Sequence, residues 1–256
     1  MDVIAVQLDS TWQDKPANHA QVRKLLNATS VPKNSLIVLP EMFDTGFSMN
    51  VAKTAQTELL ESETFLREIA AEFESTVLGG VVGQAVKNVA SNLSVAFAPD
   101  GTELVRYQKM QPFTLTGEDQ HYTAGDGFQT FQWQGVTISP FVCYDLRFPE
   151  IFRPAAQAGA EFFVLIACWP TARSEHWVRL LQARAIENQA FVLGVNRCGT
   201  DPKFVYDGRS SAFDPMGKPI FECDAAEQVR HFKIDVNVVR TWRSKFPALQ
   251  DIRTSN

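Results

Sequence analysis

Apolar positions along the chain fall into short runs split by polar, turn-forming stretches, and two periods alternate among them. Runs of strand length occupy residues 3–8, 35–40, 77–83, 162–167 and 191–196. Pairs of such runs flank turn signals: 92–97 and 103–107 around Pro99-Asp100-Gly101, 128–133 and 136–142 around Gln134-Gly135, and 210–214 and 219–222 around Pro215-Met216-Gly217-Lys218. A last strand is expected over 229–236. Between these runs the spacing turns helical: 16–26, opened by Pro16; 58–73; a helix opened by Phe148-Pro149-Glu150, running to about Ala158 and closed by Gly159; 174–189; and a polar helical tail. Residues 110–127 are polar and aperiodic and read as a loop. Helices alternate with strands in both halves, with hairpins mixed in. No repeat or linker interrupts them, so the pattern predicts helix-covered sheets in one α/β domain.

Composition narrows the class. With 256 residues, 45% of them hydrophobic, the chain can bury a sizeable single core. A net charge of -5 and the lack of any Lys/Arg run argue against nucleic acid or an anionic membrane surface as partner. Cys143, Cys168, Cys198 and Cys223 are scattered without a CxxC pair, as expected of reduced thiols in a cytoplasmic protein. The first eight residues lack the basic and apolar regions of a signal peptide, and no apolar run reaches membrane-spanning length.

Candidate chemistry centres on residues 138–150, where a strand breaks at Cys143 and a helix opens at Pro149. A cysteine between a strand end and a helix start faces a crevice, and the positive helix end there favours thiolate. Taken alone, Cys143 fits a small buried hydrophobe, Glu41 a loop carboxylate and Lys109 a surface lysine. Yet all three stand just past a strand's carboxyl end, where ligands bind in open α/β sheets, and their chemistry is complementary. A carboxylate can take the thiol's proton, an ammonium can stabilise the oxyanion formed on attack, and the carboxyl can return the proton to departing ammonia. A Cys-His pair using His121 or His176 is the second reading, since spacing alone leaves it open. No His-x-x-x-His spacing suggests a zinc site, so no metal is expected.

Leu39-Pro40-Glu41, Tyr107-Gln108-Lys109 and Val142-Cys143-Tyr144-Asp145-Leu146-Arg147-Phe148-Pro149-Glu150 resemble, in order, the three signature segments of the nitrilase (carbon–nitrogen hydrolase) superfamily. Residues 183–189 and 211–217 are also similar to family segments, so the resemblance spans the chain. It implies a single-domain four-layer αββα sandwich, no cofactor, and homodimers or higher homo-oligomers that stack helices near the active site. It further implies Glu41 as general base, Lys109 as oxyanion stabiliser, Cys143 as nucleophile, and Glu118 as a second glutamate orienting lysine and substrate.

The narrower likeness is to ω-amidases, carried by Met42-Phe43, residues 169–177 and residues 245–251. It implies hydrolysis of the terminal amide of a small 2-oxo acid such as 2-oxoglutaramate, through a thioester. Nitrilase, carbamoylase, aliphatic amidase or acyltransferase activity would use the same three residues, and a non-catalytic association module is the rival of another class. Gln111 stands where histidine is common, and Cys168 where an amide side chain is common; both departures touch the pocket lining more than the chemistry. Phe43, Tyr144 and Trp169 are the candidate lining residues. Arg173 is the candidate for a substrate carboxylate, with a solvated helix-start arginine as the equal alternative. Arg147 is expected to be a structural ion-pair partner of Glu150 or Asp145.

Overall fold

The computed structural model describes residues 1–253. The first half runs β1 (Asp2–Gln7), α1 (Lys15–Asn27), β2 (Leu36–Val38), α2 (Val51–Thr54), α3 (Glu61–Glu72), β3 (Thr76–Val82), β4 (Ala90–Phe97) and β5 (Glu103–Gln108). Then come β6 (Tyr122–Thr123), β7 (Phe131–Trp133), β8 (Val136–Val142), α4 (Pro149–Gln157), β9 (Phe162–Ala167), α5 (Ser174–Asn188) and β10 (Phe191–Asn196). The remainder is β11 (Cys198–Thr200), β12 (Val205–Asp207), β13 (Ser211–Phe213), β14 (Pro219–Glu222), β15 (Gln228–Lys233) and α6 (Val236–Lys245).

Period-2 alternation explains the layers. In β1, Val3 and Ala5 join the large core that also holds the second sheet, while Ile4 and Val6 pack with Val22 and Leu26 of α1 and Phe65, Leu66 and Ile69 of α3. The first sheet has the order β15-β1-β2-β3-β4-β5, with β6 added beside β4; the second has the order β14-β13-β10-β9-β8-β7. Each sheet has a parallel centre, β1-β2-β3 and β8-β9-β10, flanked by antiparallel strands. On the second sheet's outer side α4 presents Ile151, Phe152 and Ala155, and α5 presents Trp177, Leu181 and Ala185. The result is a four-layer αββα sandwich in one domain. Among the described residues no helix is long and apolar enough to cross a membrane.

Two local expectations change. The expected loop over 110–127 carries two 3-10 turns, Thr114–Thr116 and Glu118–Gln120, and the two-residue strand β6, paired to Ala90 and Ser91. A pair this short leaves no periodic signal. The last strand ends at Lys233, because the Asp235 side chain accepts from the Asn237 N–H and caps α6, so Val236 is helical. The helix expected from Pro149 stands as α4, and a 3-10 turn over Cys143–Arg147 precedes it.

Candidate active site

β2, β5 and β8 end at one side of the sandwich, so Glu41, Lys109 and Cys143 follow three strand ends drawn from both sheets. Lys109 continues the inward alternation of Val105 and Tyr107 and is 1% exposed. Its Nζ lies 2.9 Å from Glu41 Oε1, and 3.0 and 2.8 Å from the two oxygens of Glu118. Both carboxylates are fully buried. Burial alone would drive the ammonium towards neutrality, but the Glu118 and Glu41 charges reverse that and hold Lys109 well above the ordinary lysine value.

Glu41 is held from several directions. Cys168 N–H donates to its Oε2 at 2.8 Å, and the Cys168 thiol donates to its backbone carbonyl at 3.2 Å. The chain then turns sharply at Met42, in the left-handed region at φ 43°. Gly80 makes the close approach possible: a Cβ there would lie 2.5 Å from Glu41 Cα and 2.7 Å from the Met42 nitrogen. Glu118 sits in its 3-10 turn with Oε2 accepting the Phe113 N–H at 2.6 Å.

Cys143 occupies the left-handed region at φ 47°, a strained position for a side-chain-bearing residue, costing about 1–3 kcal/mol. Such an outlier at a strand-to-helix turn is the geometry that presents a nucleophile. The expectation that a helix dipole favours thiolate is corrected here. Burial pushes the Cys143 thiol well above its ordinary value, and the Glu41 charge pushes the same way, outweighing Lys109. The adjoining helix is one 3-10 turn, too short for a strong macrodipole, so Cys143 at rest is a thiol.

Two further residues escaped the sequence reading. Asn92, facing inward from β4, donates through Nδ2 to Glu41 Oε1 at 2.7 Å and Glu118 Oε1 at 2.9 Å. The signal was available: Asn92 and Ser94 are polar at the positions that alternate with Leu93, Val95 and Phe97 on the helix-facing side. Asp145, fully buried, accepts the Val142 N–H at 2.9 Å and the Tyr107 hydroxyl at 2.7 Å on Oδ2, and the Gln111 N–H at 2.9 Å on Oδ1. It thereby ties the cysteine turn to the segment around Lys109. Burial outweighs these three donors and raises its carboxyl to about 7.

Beside Cys143 lies a narrow, largely apolar pocket. Phe47, Phe113, Tyr144, Cys168, Trp169 and Arg173 are among its walls, so Tyr144, Trp169 and Arg173 stand where expected. Phe43 does not. The turn at Met42 sends it to the outer face of the first sheet, against Phe65 and His19. Arg147 also departs from expectation, because Asp145 is occupied by the donors above. Its guanidinium lies 4.9 Å from the Trp169 ring and 2.9 Å from His176 Nδ1, with no carboxylate partner among the described residues. Burial, then the charge of Arg173, hold it below the ordinary arginine value. His176 is thus engaged by Arg147, and neither it nor His121 lines the pocket, which removes the Cys-His alternative.

The chain is similar along its length to known proteins. The family model for carbon-nitrogen hydrolases matches residues 3–244. The omega-amidase YafV of Yersinia enterocolitica is 37% identical over 250 residues, spanning 96% of this chain and 94% of its own. A 2-oxoglutaramate amidase of Paenarthrobacter nicotinovorans is 35% identical, spanning 99% of this chain and 90% of its own. Among solved structures, a CN-hydrolase superfamily protein of Xanthomonas campestris, described with an arsenic adduct in its active site, is similar with a TM-score of 0.92 at 31% identity, covering 100% of this chain and 98% of its own.

Proposed function

The chain belongs to the carbon-nitrogen hydrolase family, and on that premise we propose that it is an ω-amidase: it hydrolyses the terminal amide of a 2-oxo dicarboxylic acid monoamide, 2-oxoglutaramate or 2-oxosuccinamate, through a thioester on Cys143. Glu41 takes the Sγ proton as sulfur attacks the amide carbon. The oxyanion is received by Lys109 Nζ and by the Tyr144 N–H, which lies in the first turn of its 3-10 helix, where N–H groups have no intrahelical partner. Lys109 can turn one hydrogen to it, because its two contacts to Glu118 are alternatives on one carboxylate. Glu41 returns the proton to nitrogen, ammonia leaves, and water, deprotonated by Glu41, cleaves the thioester. Glu118 orients Lys109 throughout.

One observation carries the substrate class. Arg173 lines an otherwise apolar pocket, and Arg147, stacked on the pocket's Trp169, is held below its ordinary value by burial and then by the Arg173 charge; no carboxylate of the described residues forms an ion pair with either arginine. Such a pair supports a substrate anion held bidentately. The test compares ammonia release from 2-oxoglutaramate and from a neutral aliphatic amide of similar length, in native protein and in Arg147→Ala and Arg173→Ala. The reading expects strong preference for the oxo acid and its loss through KM in both variants. Equal hydrolysis of the neutral amide by native protein overturns the substrate class and leaves an aliphatic amidase.

A homodimer or higher homo-oligomer is part of the same proposal. Exposed Ile186 on α5, Met216 in the β13–β14 turn and Phe246 after α6 support it. A monomer by light scattering would remove it.

A further inference from the structure

Two donors bridge the same two oxygens in the buried cluster. Lys109 Nζ contacts Glu41 Oε1 and Glu118 Oε1, and Asn92 Nδ2 contacts the same pair, closing a four-membered ring of hydrogen bonds. The second oxygen of Glu118 is also doubly held, by Lys109 at 2.8 Å and the Phe113 N–H. Of the four carboxylate oxygens, only Glu41 Oε2 carries a single donor, the Cys168 N–H. A carboxylate oxygen has room for about two donors, so three are filled and Oε2 alone is half open.

We propose that Asn92 is a positioning residue for amide hydrolysis, its side chain reserving Oε2 of Glu41 as the oxygen that takes the Cys143 proton. The inference rests on the reading of Glu41 as general base. The register makes the arrangement local: Leu93 pairs with Gln108, so Asn92 and Lys109 are the next cross-strand neighbours, and Lys109 N–H donates to the Asn92 carbonyl at 2.9 Å. Both side chains therefore rise together from adjacent strands onto the same two carboxylates.

A second observation argues that Asn92 is not there for packing. Its Oδ1 is buried and has no donor among the described residues. An unsatisfied buried acceptor is a cost to folding, which a leucine of similar volume would avoid. What leucine cannot do is supply one N–H to each glutamate. Without that amide, two changes follow. Glu41 can rotate to offer Oε1, which Lys109 would then hold alone. The carboxylate also loses one of its three donors, among neighbours that include Lys109, Glu118, Cys143, Cys168 and Tyr122.

The experiment measures kcat and KM against pH for ammonia release in native protein, Asn92→Leu and Asn92→Ser, with Glu41→Gln alongside and thermal unfolding as the folding control. In Asn92→Leu, kcat should fall about 10–100-fold with little change in KM, part of what general base catalysis contributes. The acid limb of kcat/KM should move as well, because Asn92 donates to the oxygen paired with the one that takes the proton. Asn92→Ser, which keeps one donor, should fall between, and it carries the test where the leucine variant does not fold. A merely structural asparagine would lower stability without moving the limb. Folded Asn92 variants whose acid limb coincides with native protein, while Glu41→Gln is inactive, overturn the proposal alone. An active Glu41→Gln overturns the general-base reading and this proposal with it.

Discussion

Asp145→Asn replaces a buried acid with a group of the same shape and separates charge from form. The carboxyl is raised from its ordinary 3.8 to about 7 by burial, so between those values native protein holds a proton that the unfolded chain has released. Stability attached to Asp145 is therefore full below about pH 4 and is lost as pH rises through about 7. The gap between the two values corresponds to about 4 kcal/mol in all, of which about 2–3 kcal/mol falls between pH 5 and pH 8. Asparagine does not titrate, so it escapes this loss. It does place an N–H₂ against either the Gln111 N–H or the donors from Tyr107 and Val142, at a pH-independent cost of about 1–3 kcal/mol. In a chain of this size each kcal/mol moves Tm by about 2–4 °C. The variant should melt lower than native protein at pH 5, and the difference should shift in its favour by roughly 5–10 °C at pH 8. Thermal unfolding of both proteins at pH 5, 6.5 and 8 is the assay. A Tm difference that stays constant across that range refutes the argument that burial, rather than the three donors, governs this carboxyl. Loosening the cysteine turn should also lower kcat about 10–100-fold with KM nearly unchanged.

Cys143→Ala should abolish ammonia release while the protein stays folded, and mass spectrometry with a slow substrate should find the acyl adduct on Cys143; an adduct on Cys168 would move the nucleophile one strand along. Glu41→Gln should cost more than Glu118→Gln, since one group transfers protons and the other orients, and single-turnover rates compare them. Lys109→Arg should lose about 10²–10³ in kcat, because a planar fork cannot fill the point-charge space between two buried carboxylates; near-native turnover would remove Lys109 from that role. Gly80→Ala, whose Cβ meets the backbone of Glu41 and Met42, should cost about 1–3 kcal/mol in urea unfolding and lower kcat disproportionately.

Glu41, Lys109 and Cys143 were legible because each is a reactive type stranded just past an apolar run, and because their neighbours carry a specific family pattern. Asn92 was not, since an asparagine inside a strand looks ordinary until pairing reveals that it stands across from Lys109. Asp145 was misjudged for a similar reason: in sequence it neighbours Arg147, but two of its three donors come from 38 and 34 residues away, at Tyr107 and Gln111. Phe43 shows the reverse failure, in which adjacency to Glu41 suggested the pocket and one left-handed residue turned the ring outward. The sheets themselves were readable from their apolar runs, whereas β6, β11 and β12, at two or three residues each, are defined only by what they pair with.

The bonds that assemble the site also cross between the sheets. Cys168, past β9, holds Glu41, past β2; Asp145, past β8, holds Tyr107 of β5. The proposed catalytic centre is thus a joint, and it exists only while the two halves of the sandwich stay docked. In a refolding chain, turnover would return at the pace of the slowest docking event, after helical signal had recovered. On gentle denaturation it would vanish first, when the layers part at this edge but each sheet still keeps its own ladder. Turnover in this protein is accordingly a gauge of inter-sheet closure, more local than any measure of its secondary structure.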